Sequence, residues 1–200
     1  MHKRWGVLSS TQDFYGRPTV IGELGEAVPE RVFPAGRLDM DSQGLIFLTN
    51  DGWIANRIMH PRYGCNKTYK VLIGGVPSEH ALERWRSGEN LYMDGQPLAP
   101  CGVEILEVMD DRTWLIVILG EGKKRQIRRT AEIFRHTVIE LIRTHIGPIE
   151  LGDLPYGAWR DLTPEEVETL RENFLKVSDP DEEDSMPEIA VNLEDDDESQ

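Results

Sequence analysis

The chain is poor in everything that a disulfide scaffold or a membrane span requires. It holds two cysteines in 200 residues. Cys65 and Cys101 stand alone, without CxxC spacing, so neither a disulfide framework nor a structural zinc site is indicated. The longest apolar run, Trp114 to Leu119, falls far short of the roughly 20 residues that cross a bilayer. The opening "MHKRWGVLSS" lacks the apolar stretch of a signal peptide. A reducing cytoplasm, with no membrane partner, is therefore expected. Basic residues are also scarce, with 22 Lys and Arg against 36 Asp and Glu and a net charge of −14. Taken whole, that balance opposes a nucleic-acid partner.

The acids are unevenly spread. From Ser178 to Gln200 there are eleven acids and no Lys or Arg, leaving 25 acids against 22 bases in residues 1–177. The low pI thus describes the end of the chain and not the rest of its surface. The end segment has two prolines, few apolar residues and no periodicity, so it cannot offset its ordering entropy and is expected to be disordered. The expected organisation is one domain over residues 1–177, long enough to bury a core, followed by a disordered acidic tail over 178–200.

Strand and helix patterns alternate without a repeat. "WGVLSS" reads as a strand and "TVIGEL" as a short helical turn. "GLIFLTN" reads as one fully buried strand by its unbroken apolar run, with a turn at Asn50 to Gly52 and a helix over "GWIANRIMH". "KTYKVLIGG" alternates, with Thr68, Lys70 and Leu72 on one face and Tyr69, Val71 and Ile73 on the other. "SEHALERWRSG" reads as a helix closed by glycine. "GVEILEVM" and "TWLIVILG" read as a hairpin. "KRQIRRTAEIFR" reads as a helix with Ile127, Ala131 and Phe134 on its core side. "TVIELIRTHIG" reads as a strand, and "TPEEVETLRENFL" as a helix with Thr163 at the cap, Pro164 first and Glu166 closing a capping box. The fold class is mixed α/β (α+β), rich in antiparallel pairing.

"GRLDMDSQGLIFLTNDG", Gly36 to Gly52, admits three chemistries. Asp39, Asp41, Gln43 and Gly44 imitate the first positions of a calcium loop. The closing bidentate glutamate of such a loop would fall on Asn50, and its middle is an apolar strand. The calcium reading fails. A phosphatase-type magnesium site needs its aspartates at the end of an apolar strand; here the strand follows them, and no second acidic cluster completes the site. What remains is an aspartate on a glycine-led loop entering a buried strand. That residue either caps its own turn or performs chemistry as a lone carboxylate.

Two further segments weigh on that choice. In "GEGKKRQIRRT", Lys123, Lys124, Arg125, Arg128 and Arg129 occupy seven positions with no acid among them. A basic cluster opening a helix beside a glycine loop suits the phosphates of a nucleic acid. In "NKTYKV", Tyr69 is flanked by Lys67 and Lys70 on a strand. This is either a packed tyrosine or an aromatic platform for an unstacked base with cations nearby.

Together "GRLDMDSQGLIFLTNDG", "KTYKV", "EGKKRQIRR", "LIRTHIGPIELGDLPYGAWRDLTPEE" and the opening "KRWGVLSSTQDFYGRPTV" resemble the ordered motifs of RsuA-type ribosomal RNA pseudouridine synthases, from about Lys3 to Leu170. The chain departs from that family in starting without an N-terminal S4 RNA-binding domain and in carrying Trp5 where a lysine is common. The resemblance implies the pseudouridine synthase fold, two subdomains about a central cleft. It also implies a monomeric isomerase acting on ribosomal RNA, more readily 23S, with neither cofactor nor metal. By the same resemblance Asp39 is the catalytic carboxylate and Arg128 its ion-pair partner, holding it ionised and aimed. Tyr69 is the stacking and proton-accepting tyrosine, and Leu141 packs under the site to exclude water. The target base is flipped out of the RNA. Arg37 fills its place or holds a phosphate, while Lys67, Lys70, Lys123, Lys124, Arg125 and Arg129 contact RNA. The competing class is a non-catalytic RNA-binding or ribosome-assembly module of the same fold.

Overall fold

The computed structural model of the chain describes residues 1–175; the expected disordered tail over 178–200 lies outside the described residues. Within them run β1 (His2–Lys3), α1 (Val20–Leu24), β2 (Phe33–Pro34), β3 (Gln43–Leu45), β4 (Leu48–Thr49) and α2 (Gly52–Met59). Then follow β5 (Lys67–Gly74), α3 (Glu79–Ser87), β6 (Tyr92–Met93), β7 (Gln96–Pro97), β8 (Gly102–Val108) and β9 (Arg112–Leu119). The series ends with α4 (Gln126–Ile133), β10 (Val138–Ile146), β11 (Ile149–Glu150) and α5 (Pro164–Leu175).

One sheet organises the molecule, in the order β1-β3-β10-β5-β9-β8, with β11 folded back on β10. Only the β3–β10 pair is parallel; the other pairs in this sheet are antiparallel. The long pairing of β5 with β9 sets Tyr69 against Val117 and Val71 against Leu115. These residues share the face that buries Ile73, Leu82, Trp85, Ile127, Ala131 and Leu141 beneath α3 and α4. Ile127 and Ala131 are buried as the helical spacing predicts, and Phe134 stacks on Trp85 with ring centroids 6.0 Å apart. A second core gathers Leu45, Phe47, Ala55, Ile58, Ile146, Leu151, Leu170 and Phe174, between the β3 end of the sheet, α2 and α5. The helix ends follow their sequence signals. Asp51 accepts the amides of Trp53 and Ile54, Gly88 closes α3 in the left-handed region, and Thr163 and Glu166 exchange backbone bonds as a capping box.

Two expected strands are different. "GLIFLTN" is broken: β3 belongs to the large sheet and β4 pairs with β2. Leu45 and Phe47 point into the second core, whereas Ile46 packs with Met1, Val7, Val20 and Leu24 in a third. An apolar run buried on both sides conceals the bend, because both faces are hydrophobic whether or not the chain stays straight. "WGVLSS" forms no continuous strand; pairing is confined to His2–Lys3, and the segment beyond has a single bridge from Leu8 to Thr19. Gly6, at φ 83°, turns the chain away from the sheet.

The parallel β3–β10 crossing brings Gly44 directly against Arg143. Gly44 has φ 113°, and a Cβ there would strike the Arg143 backbone. Gly44→Ala therefore combines backbone strain with a steric clash, and a loss of about 3 kcal/mol or more is expected in urea unfolding, without a large change in the slope.

Candidate active site

A cleft of about 380 Å³ opens where the Gly36–Ser42 loop faces β5, β10 and the start of α4. Its walls include Arg37, Asp39, Tyr69, Lys123, Lys124, Arg125, Arg128 and Leu141. The strand pleat explains two of these. Tyr69 sits on the face of β5 that looks toward α4, and Leu141 on β10 pairs with its neighbour Val71. Leu141 is buried, and Tyr69 is half-buried. Of the residues expected in the site, the fold thus brings together Arg37, Asp39, Tyr69, Lys123, Lys124, Arg125, Arg128 and Leu141.

The ion pair is rearranged from the expected one. Among the described residues the cation within 4 Å of Asp39 is Arg125, at 3.9 Å. Arg128 instead places Nε 3.3 Å from the Asp41 carboxylate and donates to the Asp41 and Val138 carbonyls at 2.6 and 3.0 Å. Arg125 makes a bidentate pair with Asp41 at 2.9 and 3.0 Å. The correction has a geometric cause. Arg125 lies just before α4, at φ 53°, so its side chain leaves the helix start toward the loop; Arg128 is one turn deeper, beside β10. The helix accordingly begins at Gln126 and not at Lys124.

Asp41 concentrates the local charge balance. Its burial would raise its pKa, but the Arg125 hydrogen bond and the charges of Arg128 and Arg125 outweigh this and hold it below the usual range. Burial lowers the Arg128 pKa, opposed chiefly by Asp41. Asp39, by contrast, accepts no hydrogen bond on its carboxylate among the described residues, so it is not capping its own turn. Its backbone carbonyl does that instead, accepting the Ser42 amide at 3.0 Å.

Sequence reasoning missed what holds this loop from behind. Lys3 is fully buried, and its ammonium donates to the carbonyls of Arg4, Asp39 and Ser42 at 3.0, 3.1 and 2.7 Å. Buried Arg143 donates to the carbonyls of Leu45 at 2.7 Å and Arg37 at 3.4 Å. A lysine in "HKRWG" carries no periodic signal of burial; only the three carbonyls converging on it explain the position. Burial lowers the Lys3 pKa to about 8, against the attraction of Asp39 and Asp41.

Several expected RNA contacts are placed elsewhere or already engaged. Lys70 lies on the opposite face of β5, its ammonium 4.5 Å from the Trp114 ring centroid. Lys67 is tied to the carbonyls of Ile58 and Cys65, both at 2.6 Å. Neither lines the cleft. A lysine on a strand reaches one face only, and a carbonyl-lined niche satisfies an ammonium as well as solvent does. Lys123 pairs with Glu121 at 2.9 Å and Arg129 with Asp94 at 3.0 Å. Glu121 and Asp94 lie outside the stretch 123–129, which is why the run looked unopposed in sequence. Among the described residues, Lys124 and Arg37 are exposed cations of this rim without an ion pair. No group of three or more His, Cys, Asp and Glu side chains placed to hold a metal occurs among the described residues, nor any helix long and apolar enough to cross a membrane.

Comparison with known proteins gives one consistent outcome. The profile of the RNA pseudouridylate synthase family matches residues 1–132. Ribosomal large subunit pseudouridine synthase B of Bacillus subtilis is 38% identical over 86% of this chain and 70% of its own length. Ribosomal small subunit pseudouridine synthase A of Yersinia pestis is 34% identical over 85% of this chain and 71% of its own. A crystal structure of a pseudouridylate synthase superposes with a TM-score of 0.76 at 30% identity, over 85% of this chain and 71% of that one.

Lys3 offers a pH test of the loop anchor. Its folded pKa lies below the ordinary value of 10.5, so the unfolded chain binds the extra proton between about pH 8 and 10.5, and this group's contribution to stability rises with pH across that window. The Lys3→Met variant should lose that rise, a difference of a few kcal/mol, while being less stable overall because three carbonyls lose their donor. Urea unfolding of both proteins between pH 7 and 10.5 measures it.

Proposed function

Because the chain belongs to the RNA pseudouridylate synthase family, we propose that it isomerises a uridine within ribosomal RNA to pseudouridine, with Asp39 as the catalytic carboxylate. The observation that carries this reading is the state of Asp39. It is a partly exposed carboxylate in a cleft shared with Tyr69 and Leu141 and, among the described residues, has one cation at the edge of ion-pair distance and no hydrogen bond committing it elsewhere. A carboxylate so placed is available to act on a ribose.

In the reaction the C1′–N1 bond breaks, the base turns, and a C1′–C5 bond forms; N1 gains a proton and C5 loses one. The Asp39 carboxylate either adds to C1′ or removes a ribose proton to give a glycal-like intermediate. Arg125, 3.9 Å from the Asp39 carboxylate, is the cation that directs the acid in place of Arg128. Their exposure means that solvent screens this pair until RNA covers it. Arg128 acts one step back, holding the Asp41 backbone. Tyr69 stacks on the flipped base and accepts the C5 proton, and Leu141 keeps water from diverting the reaction toward base loss. Arg37 occupies the space vacated by the base or a flanking phosphate site. Lys123, Lys124, Arg125 and Arg129 line the RNA path, where Lys123 and Arg129 exchange their carboxylate pairs with Glu121 and Asp94 for phosphates.

The substrate is proposed as ribosomal because relatives named for the large and for the small subunit both match along most of the chain. Large-subunit RNA is favoured by the higher identity to the Bacillus subtilis protein. This activity is proposed for a monomer in a reducing cytoplasm, and both described thiols are free.

Incubation with transcripts of 16S and 23S ribosomal RNA, followed by pseudouridine mapping, tests the reading. One or a few new pseudouridines are expected. Asp39→Asn should bind RNA with unchanged affinity and form none, and turnover by that variant would remove Asp39 from the role. Tyr69→Phe should bind normally and turn over at least tenfold more slowly. Arg125→Ala should lose affinity, with a salt dependence shallower by about one counterion.

A further inference from the structure

The chain exposes aromatic rings that no core among the described residues uses. Phe14 and Tyr15 are 95% and 85% exposed. They sit together on a turn with its own scaffold: one Asp13 carboxylate oxygen accepts the amides of Tyr15 and Arg17, both at 2.9 Å, and the other accepts the Arg17 guanidinium at 2.6 and 3.1 Å. The Arg17 guanidinium lies 5.3 Å from the Tyr15 ring centroid. Two large rings are thus held in water by an ordered framework, where ordinary folding would bury them.

The turn is anchored to the catalytic loop. Ser9 both donates to the Leu38 carbonyl at 2.8 Å and accepts the Leu38 amide at 3.0 Å, one residue from Asp39. Gly6 donates to the Met40 carbonyl at 2.7 Å, on the other side of Asp39. Trp5, next to Gly6, is 66% exposed, and its amide is bonded to the hydroxyl of the exposed Tyr156 at 2.7 Å. Of the Lys and Arg residues from Met1 to Arg17, Lys3 is buried and Arg4 pairs with Glu23, so the cation at the turn itself is Arg17.

We infer that the Asp13–Arg17 turn is a stacking platform for unpaired bases of the RNA flanking the target uridine. The inference rests on the proposed function and extends it to how substrate is selected. Aromatic faces next to guanidinium groups suit single-stranded bases, because every base has a π-face and the cation serves the adjoining phosphate. Phe14 is five positions along the chain from Ser9, so the platform lies within about 18 Å of chain from the anchor. At roughly 3.4 Å per stacked nucleotide, that reaches bases up to about five from the target. The turn therefore favours a uridine in a loop or at a helix end over one inside a continuous duplex.

The test compares wild type, Phe14→Ala/Tyr15→Ala and Phe14→Trp/Tyr15→Phe on protein-free 16S and 23S transcripts. Both positions are exposed, so the variants should fold as wild type does. The double alanine variant should bind at least tenfold more weakly, raise KM in proportion, leave kcat at saturating RNA intact, and keep the same salt dependence. The aromatic replacement should restore affinity. Photocrosslinking of wild type to 4-thiouridine-substituted transcript should label the peptide containing Phe14 and Tyr15. Alanine variants that bind within twofold of wild type, or aromatic replacements that fail to restore affinity, overturn the platform. So does a loss seen only with intact ribosomal subunits, which would mark a protein partner. Wild type forming no pseudouridine while binding depends on both rings would overturn the proposed function and leave the stacking surface standing.

Discussion

The site depends on the clamp between Asp41 and two guanidinium groups. Arg125 grips the Asp41 carboxylate bidentately, and Arg128 donates to its carbonyl while lying within ion-pair distance of its carboxylate. The acid belongs to the loop that enters β3, and the arginines belong to the start of α4 across the sheet. The clamp thus ties together the two walls of the cleft, and it does so through planar, two-pronged contacts that define an orientation as well as a distance. It also satisfies Arg125 with a carboxylate other than Asp39, so Asp39 stays free of a tight pair while remaining in the field of two cations.

Buried cations complete the support. Among the described residues, Lys3 and Arg143 stand behind the loop without a contacting carboxylate and donate to backbone carbonyls, while the buried Arg143 Nη2 has no partner. Desolvating charge in this way costs free energy that surface charges avoid. What it secures is a loop whose backbone has few alternatives, since carbonyls turned from these donors would leave buried ammonium and guanidinium groups unpaired. Gly44 sets the same geometry sterically, because only a glycine fits against Arg143 at the parallel crossing. Electrostatic and steric constraints therefore converge on the residues either side of Asp39.

The elements with strong periodicity were legible before the structure. β5, β9, α3, α4 and α5 lie where alternation, helical spacing and caps put them, since each signal is local. β8, exposed beyond Val103, is instead placed by its turn with β9. The breaks came where that logic is silent. An apolar run at Leu45–Leu48 serves two cores and bends between them. Lysines at 67 and 70 are equally polar in sequence, yet one is drawn into a niche of carbonyls and the other lies over Trp114 on the far face. Five cations within 123–129 looked free because Glu121, Asp94 and Asp41, which engage four of them, lie outside that stretch.

The residue types needed for the chemistry, and their order along the chain, were already set by the sequence: a lone acid on a glycine-led loop, a tyrosine on a strand, a basic helix start. Those signals are local, written in composition and spacing. Which arginine faces which acid was decided only by the tertiary structure. That choice turns on the left-handed backbone at Arg125 and on a loop positioned by a buried lysine 36 residues away, and neither leaves a trace in the spacing of the residues it governs.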